Sequence, residues 1–401
     1  MLASRGPGTG GRLTMAYLDH NATSPLRPEA GAAIERALSI GGNPSSVHRA
    51  GRAARAIVEG AREAIARIAG SKVSEVIFTS GGAEANTLAL RGAIAGAAAQ
   101  EHRIARLLVV STAHDSVRAA AQLLSETTPG LRLSFIPVTN DGLIDPSALR
   151  MLLMNGKGRT LVSLLFVNNE TGAIENIETL AKLVRTEAQD SLIHVDCVAV
   201  GYSPLRFADW NIDYLTVSAH KIGGPQGIGA LIAREDVPLS PLVPGHQEDR
   251  RRGGTENASG IAGFAAALSA LDAQRAGEQA RIATLRGDFE NRLRAMVPDV
   301  VIFSERAPRG VNTSCFAIPG LAAETALIAL DLDGVCVSSG AACSSGRVGA
   351  SHVLAAMGVP EGLARCALRL SLGWSSTQEH IEAALNSLER LLARRSALAA
   401  A

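Results

Sequence analysis

Leu192-Ile193-His194-Val195-Asp196 and Tyr214-Leu215-Thr216-Val217-Ser218-Ala219-His220-Lys221 are apolar runs that each end in a charged residue. Ile222-Gly223-Gly224-Pro225 then turns the chain after the second run. Near-continuous apolar runs of this kind suit strands covered on both faces. Similar runs occupy residues 76–79, 107–111, 131–136, 160–166 and 229–233, with helical patterns at 84–99, 116–125, 146–153 and 177–189. The alternation predicts an α/β fold built on a large, mainly parallel sheet with right-handed crossovers. Ligands of such sheets gather at the carboxyl ends of the strands. Asp196 and Lys221 are expected at that edge.

An Arg/Gly-rich loop at 245–255 interrupts the alternation, and a long Ala-rich helix is expected over roughly 261–296. Shorter strand and helix patterns follow, so a smaller α+β domain is expected over 261–401, after a large domain over 15–260. Residues 1–14 are Gly-rich, have no apolar core segment and are expected to be a disordered tail. Met15, just before Ala16-Tyr17-Leu18-Asp19, reads as the start of folded chain.

The 401 residues are 47% hydrophobic, ample for a buried core, and the formal net charge is only +1. A nucleic-acid or anionic-membrane binder needs a basic field that this balance does not supply. Five cysteines with no C-x-x-C pair indicate neither a disulfide framework nor a zinc knuckle, and a reducing, cytoplasmic setting fits them. No metal site is expected.

Lysine is scarce: Lys72, Lys157, Lys182 and Lys221 stand against 35 arginines. Lys221 alone sits at a strand exit beside a Gly-Gly turn, where backbone can approach a ligand and an amine can form a Schiff base. A loop lysine is more often simply solvated. Asp196 at its strand end can pair with a pyridinium nitrogen, although strand-end aspartates also cap turns. Ser80-Gly81-Gly82-Ala83 joins a strand to a helix and can present free N–H groups to an anion, a weak signal by itself. His114 can stack on a ring or move protons, or be structural. Arg369, a cation inside the apolar alternation of Ala367-Leu368-Arg369-Leu370-Ser371, can hold a carboxylate of protein or substrate. Cys343 lies in the small-residue run 338–346 and is the one cysteine outside an apolar or helical pattern or strand end, so its thiol is the candidate nucleophile.

With these residues assembled, the chain resembles the cysteine desulfurases, which are pyridoxal-phosphate enzymes of class V aminotransferase fold (fold type I). The resemblance spans about residues 15–390 and rests on Tyr17-Leu18-Asp19-His20-Asn21-Ala22-Thr23, Gly42-Asn43-Pro44-Ser45-Ser46, Val167-Asn168-Asn169-Glu170, His194-Val195-Asp196, Ser218-Ala219-His220-Lys221, Gly254-Thr255-Glu256-Asn257, the run around Cys343, and Leu368-Arg369-Leu370-Ser371-Leu372-Gly373. The long cysteine run is like that of the NifS/IscS-like group. The resemblance implies that Lys221 carries pyridoxal 5'-phosphate and shuttles the α-proton, that Asp196 pairs with the pyridine nitrogen, and that His114 stacks on the ring. It implies that Asn169 reaches the phenolic oxygen, and that Gly82, Ala83, Ser218 and His220 hold the phosphate with Thr255 of a partner subunit in a homodimer. Asn43 and Arg369 bind the substrate carboxylate in this reading, and Cys343 takes sulfur from L-cysteine, leaving alanine and a persulfide for a sulfur-acceptor protein in iron–sulfur cluster or other sulfur-acceptor biosynthesis.

Several positions depart from the family pattern. Ala83 stands where Thr is usual, Thr87 for Asn, Ala113 for Glu, and Ala199 for the Gln that donates to the phenolic oxygen. The usual Gln-Glu-Arg-Gly-Arg-Arg loop reads Gln247-Glu248-Asp249-Arg250-Arg251-Arg252. Each lost hydrogen bond costs about 0.5–1.5 kcal/mol. Two other readings therefore stand beside the desulfurase: a selenocysteine lyase-type enzyme, and a cofactor-weakened homologue kept as an interaction partner.

Overall fold

The computed structural model describes residues 15–339 and 351–400. The expected tail at 1–14 and Cys343 lie outside the described residues. The strands are β1 (Ala16–Tyr17), β2 (Val76–Thr79), β3 (Ile104–Val110), β4 (Arg132–Ile136), β5 (Arg159–Leu165), β6 (Leu192–Asp196), β7 (Tyr214–Ser218), β8 (Gly229–Ala233), β9 (Val301–Ile302), β10 (Thr313–Ala317), β11 (Val335–Cys336), β12 (Ser338–Ser339) and β13 (Ala367–Ser371).

The large sheet has the order β2-β8-β7-β6-β5-β3-β4. Neighbours from β7 through to β4 pair in parallel, whereas β8 runs antiparallel to both β2 and β7. Every residue of β2, β6, β7 and β8 is buried, which is why these strands read as continuous apolar runs rather than as alternation. Because β8 folds back between them, β2 and β7 point the same way. The carboxyl ends of β2, β3, β5, β6 and β7 therefore open on one edge.

The stretch expected as one helix over 84–99 is a helix Gly82–Thr87, a π turn Leu88–Gly92 and a helix Ala93–Ala99. Two helices ahead of the sheet, Pro28–Ile40 and Arg49–Ala69, fall before the alternation begins and were not foreseen. Both pack on the long helix Ala258–Met296, whose N-cap Asn257 accepts from Gly260 N–H at 3.0 Å.

A second sheet, β12-β13-β10-β9, is antiparallel and lies in the C-terminal part of the chain. The chain's described beginning joins this part: β1 pairs in parallel with β11, and Asp19 bridges to Ser371 at the end of β13. The same segment is stitched to the large sheet's edge, where Ser24 N–H donates to His220 O at 2.7 Å and Arg27 N–H to Gly223 O at 2.8 Å.

The 245–255 loop is tied down by charge. Arg62 donates to both carboxylate oxygens of Glu248, at 2.7 and 3.0 Å, and Phe78 N–H donates to Glu248 at 2.9 Å. Glu248, Asp249 and Arg250 are all left-handed, with φ of 50°, 51° and 64°. Arg250 thus takes a conformation that glycine adopts more easily. Glu248→Ala strands a buried guanidinium and a buried N–H. It should cost about 3–5 kcal/mol in a denaturant titration, and a loss under 1 kcal/mol would show that the loop is held by other contacts.

Candidate active site

The carboxyl edge of the large sheet and the strand β13 enclose a cleft of about 410 Å³. Gly82 and Ala83 reach it after β2, His114 after β3, Asn169 after β5, Asp196 from the end of β6, and His220 and Lys221 after β7. Arg369 enters from β13, and Asp19, Asn21 and Ala22 from the segment after β1. Most of the sites singled out in the sequence therefore converge. Asn43, Thr255 and Ser218 are not among the residues lining this cleft: Ser218 is buried, Asn43 and Thr255 are exposed, and Asn43 Oδ1 instead accepts from Ser45 N–H at 2.9 Å.

Asp196 is buried, with one oxygen accepting from Val198 N–H and the other from Asn86 Nδ2, both at 2.9 Å. Asn86 Nδ2 also donates to Ser116 Oγ at 3.0 Å. Ser116 N–H in turn donates to His114 Nδ1 at 3.2 Å, so this ring nitrogen is an acceptor and the neutral imidazole carries its proton on Nε2. Burial, followed by the charge of Lys221, depresses the His114 pKa, with Asp196 opposing. His220 is lowered to about 4, chiefly by burial and then by Lys221. Both imidazoles are thus neutral near pH 7.

The turn at 81–83 depends on glycine. Gly81 has φ of 153°, and a Cβ on Gly82 would sit 2.6 Å from Val198 Cγ2. Ala83 and Ala199 also line the cleft. Ala113 is buried, and its carbonyl accepts from His352 Nε2 at 3.0 Å.

Arg369 is almost fully buried. Its Nη2 donates to Asp19 Oδ1 at 2.6 Å and its Nη1 to Asn169 O at 3.1 Å. Asn21 Nδ2 donates to the same Asn169 carbonyl at 2.9 Å. Asp19, Asn21, Asn86 and Ser116 received no role in the sequence reading. The signal for two of them was the Tyr17–Thr23 motif itself, and Asn86 lies four residues after Gly82, on one helix face with it.

The model of the aminotransferase class-V family matches residues 16–384. A cysteine desulfurase IscS of Dictyoglomus turgidum is 37% identical over 94% of each chain. A cysteine desulfurase of Cereibacter sphaeroides is 40% identical over 95% of this chain and 97% of its own.

The chain belongs to the cysteine desulfurases of the class V aminotransferase family.

Among solved structures, a NifS-like protein from Rickettsia africae superposes with a TM-score of 0.84 at 32% identity, covering 94% of this chain and 99% of that one. Another NifS-like protein reaches 0.87 at 29% identity, covering 95% and 100%. Class V aminotransferases are pyridoxal-phosphate enzymes of fold type I, and the sheet order described above is this chain's version of that fold.

The residues present fit such a cofactor. The cleft offers an amine, a buried carboxylate and a neutral imidazole. The Ser218 hydroxyl at the end of β7 is buried and has no hydrogen-bond partner among the described residues.

Beside the cleft, Glu170 is buried and burial raises its pKa to about 7, although the Ser351 hydroxyl donates to it at 2.5 Å and Arg369 opposes the rise. An unfolded glutamate titrates near 4.3. Between these values the folded chain keeps a proton that the unfolded chain has released, so this contribution to stability is full below about pH 4 and is lost as pH rises through 7. The loss is on the order of 3–4 kcal/mol in all, of which about 2–3 kcal/mol falls between pH 5 and 7.5. Glu170→Gln should flatten the stability–pH profile between pH 5 and 7.5 by that amount; an unchanged slope would place the titration elsewhere.

Proposed function

We propose that the chain converts L-cysteine to L-alanine with pyridoxal 5'-phosphate, passing the sulfur to Cys343 as a persulfide and then to an acceptor protein. The observation that supports this best is the meeting of Lys221, Asp196, His114 and Arg369 in one cleft. When bound, the cofactor supplies an electron sink for negative charge at the substrate's α-carbon. Lys221 is the amine that holds it, and later takes and returns the α-proton. Asp196, held by two donated hydrogen bonds, stays oriented to pair with the pyridine nitrogen. His114 offers a ring face and a proton at Nε2. Gly82, Ala83, Ser218 and His220 take the phosphate, and Asn169 the phenolic oxygen.

Arg369 binds the substrate carboxylate. The thiolate of Cys343 attacks the substrate sulfur: an S–S bond forms, the Cβ–S bond breaks, and the carbon keeps the electron pair and is protonated to alanine. Thiol exchange then passes the outer sulfur on. Thr255 and Asn43 are exposed and do not line their own chain's cleft, which is consistent with a homodimer in which a second copy supplies Thr255. None of the described helices is long and apolar enough to cross a membrane.

Cys343→Ala should still bind pyridoxal phosphate and still change its absorbance on adding cysteine, yet form no protein persulfide and release almost no alanine. Normal turnover in that variant would replace the proposal with a lyase that needs no protein thiol. A second variant probes the departures. Ala199→Gln restores a donor at the cleft wall and should tighten cofactor retention about two- to tenfold in equilibrium dialysis, equivalent to one hydrogen bond of about 0.5–1.5 kcal/mol. Unchanged retention would mean that position 199 does not face the cofactor.

A further inference from the structure

We infer that Asp19 is a specificity-determining residue of this cleft, one whose charge sets how tightly Arg369 binds a carboxylate. The inference rests on the proposed role of Arg369. Asp19 lines the cleft and meets the guanidinium at 2.6 Å, with the arginine side chain almost wholly buried and the aspartate only 19% exposed. Asn169 O takes a second guanidinium donor at 3.1 Å. The Nε–H is buried and has no partner among the described residues. The cation is therefore held on its Nη side and left a donor short.

The ion pair is close to neutral before any ligand arrives. A ligand carboxylate at Arg369 meets a guanidinium already engaged at Nη1 and Nη2, and it brings a second negative charge beside Asp19. In a partly buried cleft that repulsion is weakly screened. Asp19 thus keeps Arg369 in place and at the same time weakens its hold on amino-acid carboxylates, substrate and alanine product alike. An arginine bearing the full unshared charge would bind the product more tightly and release it more slowly.

The test uses holoenzyme and L-alanine as probe, followed by the change in cofactor absorbance, with KM and kcat for cysteine measured beside it. Asp19→Asn keeps an oxygen to accept from Nη2 and removes the charge. Alanine should bind roughly five- to tenfold more tightly and KM should fall in the same sense, without a rise in kcat. L-Alaninamide has no carboxylate and should gain nothing. Asp19→Ser also lacks the charge, serves if the first variant does not fold, and should shift alanine in the same direction.

Unchanged or weaker alanine binding in these variants would overturn the inference, as would equal tightening of alanine and its amide. Arg369→Met separates the two layers of the argument. If it leaves alanine affinity unchanged, the carboxylate role of Arg369 itself fails. If it abolishes binding while Asp19→Asn changes nothing, only the role of Asp19 fails.

Discussion

A guanidinium taken out of water must be compensated by other groups, and Arg369 is compensated by chain from two distant places. Asp19 comes from the start of the described fold and Asn169 from the loop after β5. The desolvation cost of burying a charge is several kcal/mol unless partners with good geometry meet it. That requirement fixes the N-terminal segment across β13, where Leu18, His20 and Asn21 also bond to Ser371. The same segment then reaches the turn beyond β7, so the large sheet's carboxyl edge and the C-terminal sheet are joined along the line where the cleft lies.

The cleft is electrostatically layered. On the large-sheet side, a buried aspartate shares the cleft with two imidazoles that burial and Lys221 keep neutral. On the β13 side, Arg369 pairs with the Asp19 carboxylate, and its charge also favours ionisation of the buried Glu170, which burial opposes. The alanines at 83 and 199 remove two hydrogen-bonding groups common in the family while leaving the backbone turn intact, because that turn depends on Gly81 and Gly82.

The strands of the large sheet were legible to within three residues, and so was the long helix at Ala258–Met296. Continuous burial imposes a continuous apolar pattern, which a sequence displays directly. The antiparallel course of β8 was not legible, since a buried strand reads alike in either direction. Asn86 escaped notice for a related reason. Its importance lies in a hydrogen bond to Asp196, 110 positions away, and no local pattern records a partner at that distance.

By itself the sequence determined the alternation of strand and helix, the scarcity of lysine that singles out Lys221, and the placement of Asp196 and Lys221 at strand exits. These are local properties: periodicity, strand ends, glycine turns. Only the tertiary structure decided which residues share the cleft. It brought Asp19 to Arg369 and Asn86 to Asp196, and it left Asn43 and Thr255 outside their own chain's site. The physical reason is that charge compensation and hydrogen bonding act through space, between groups whose separation along the chain has no bearing on their separation in the fold.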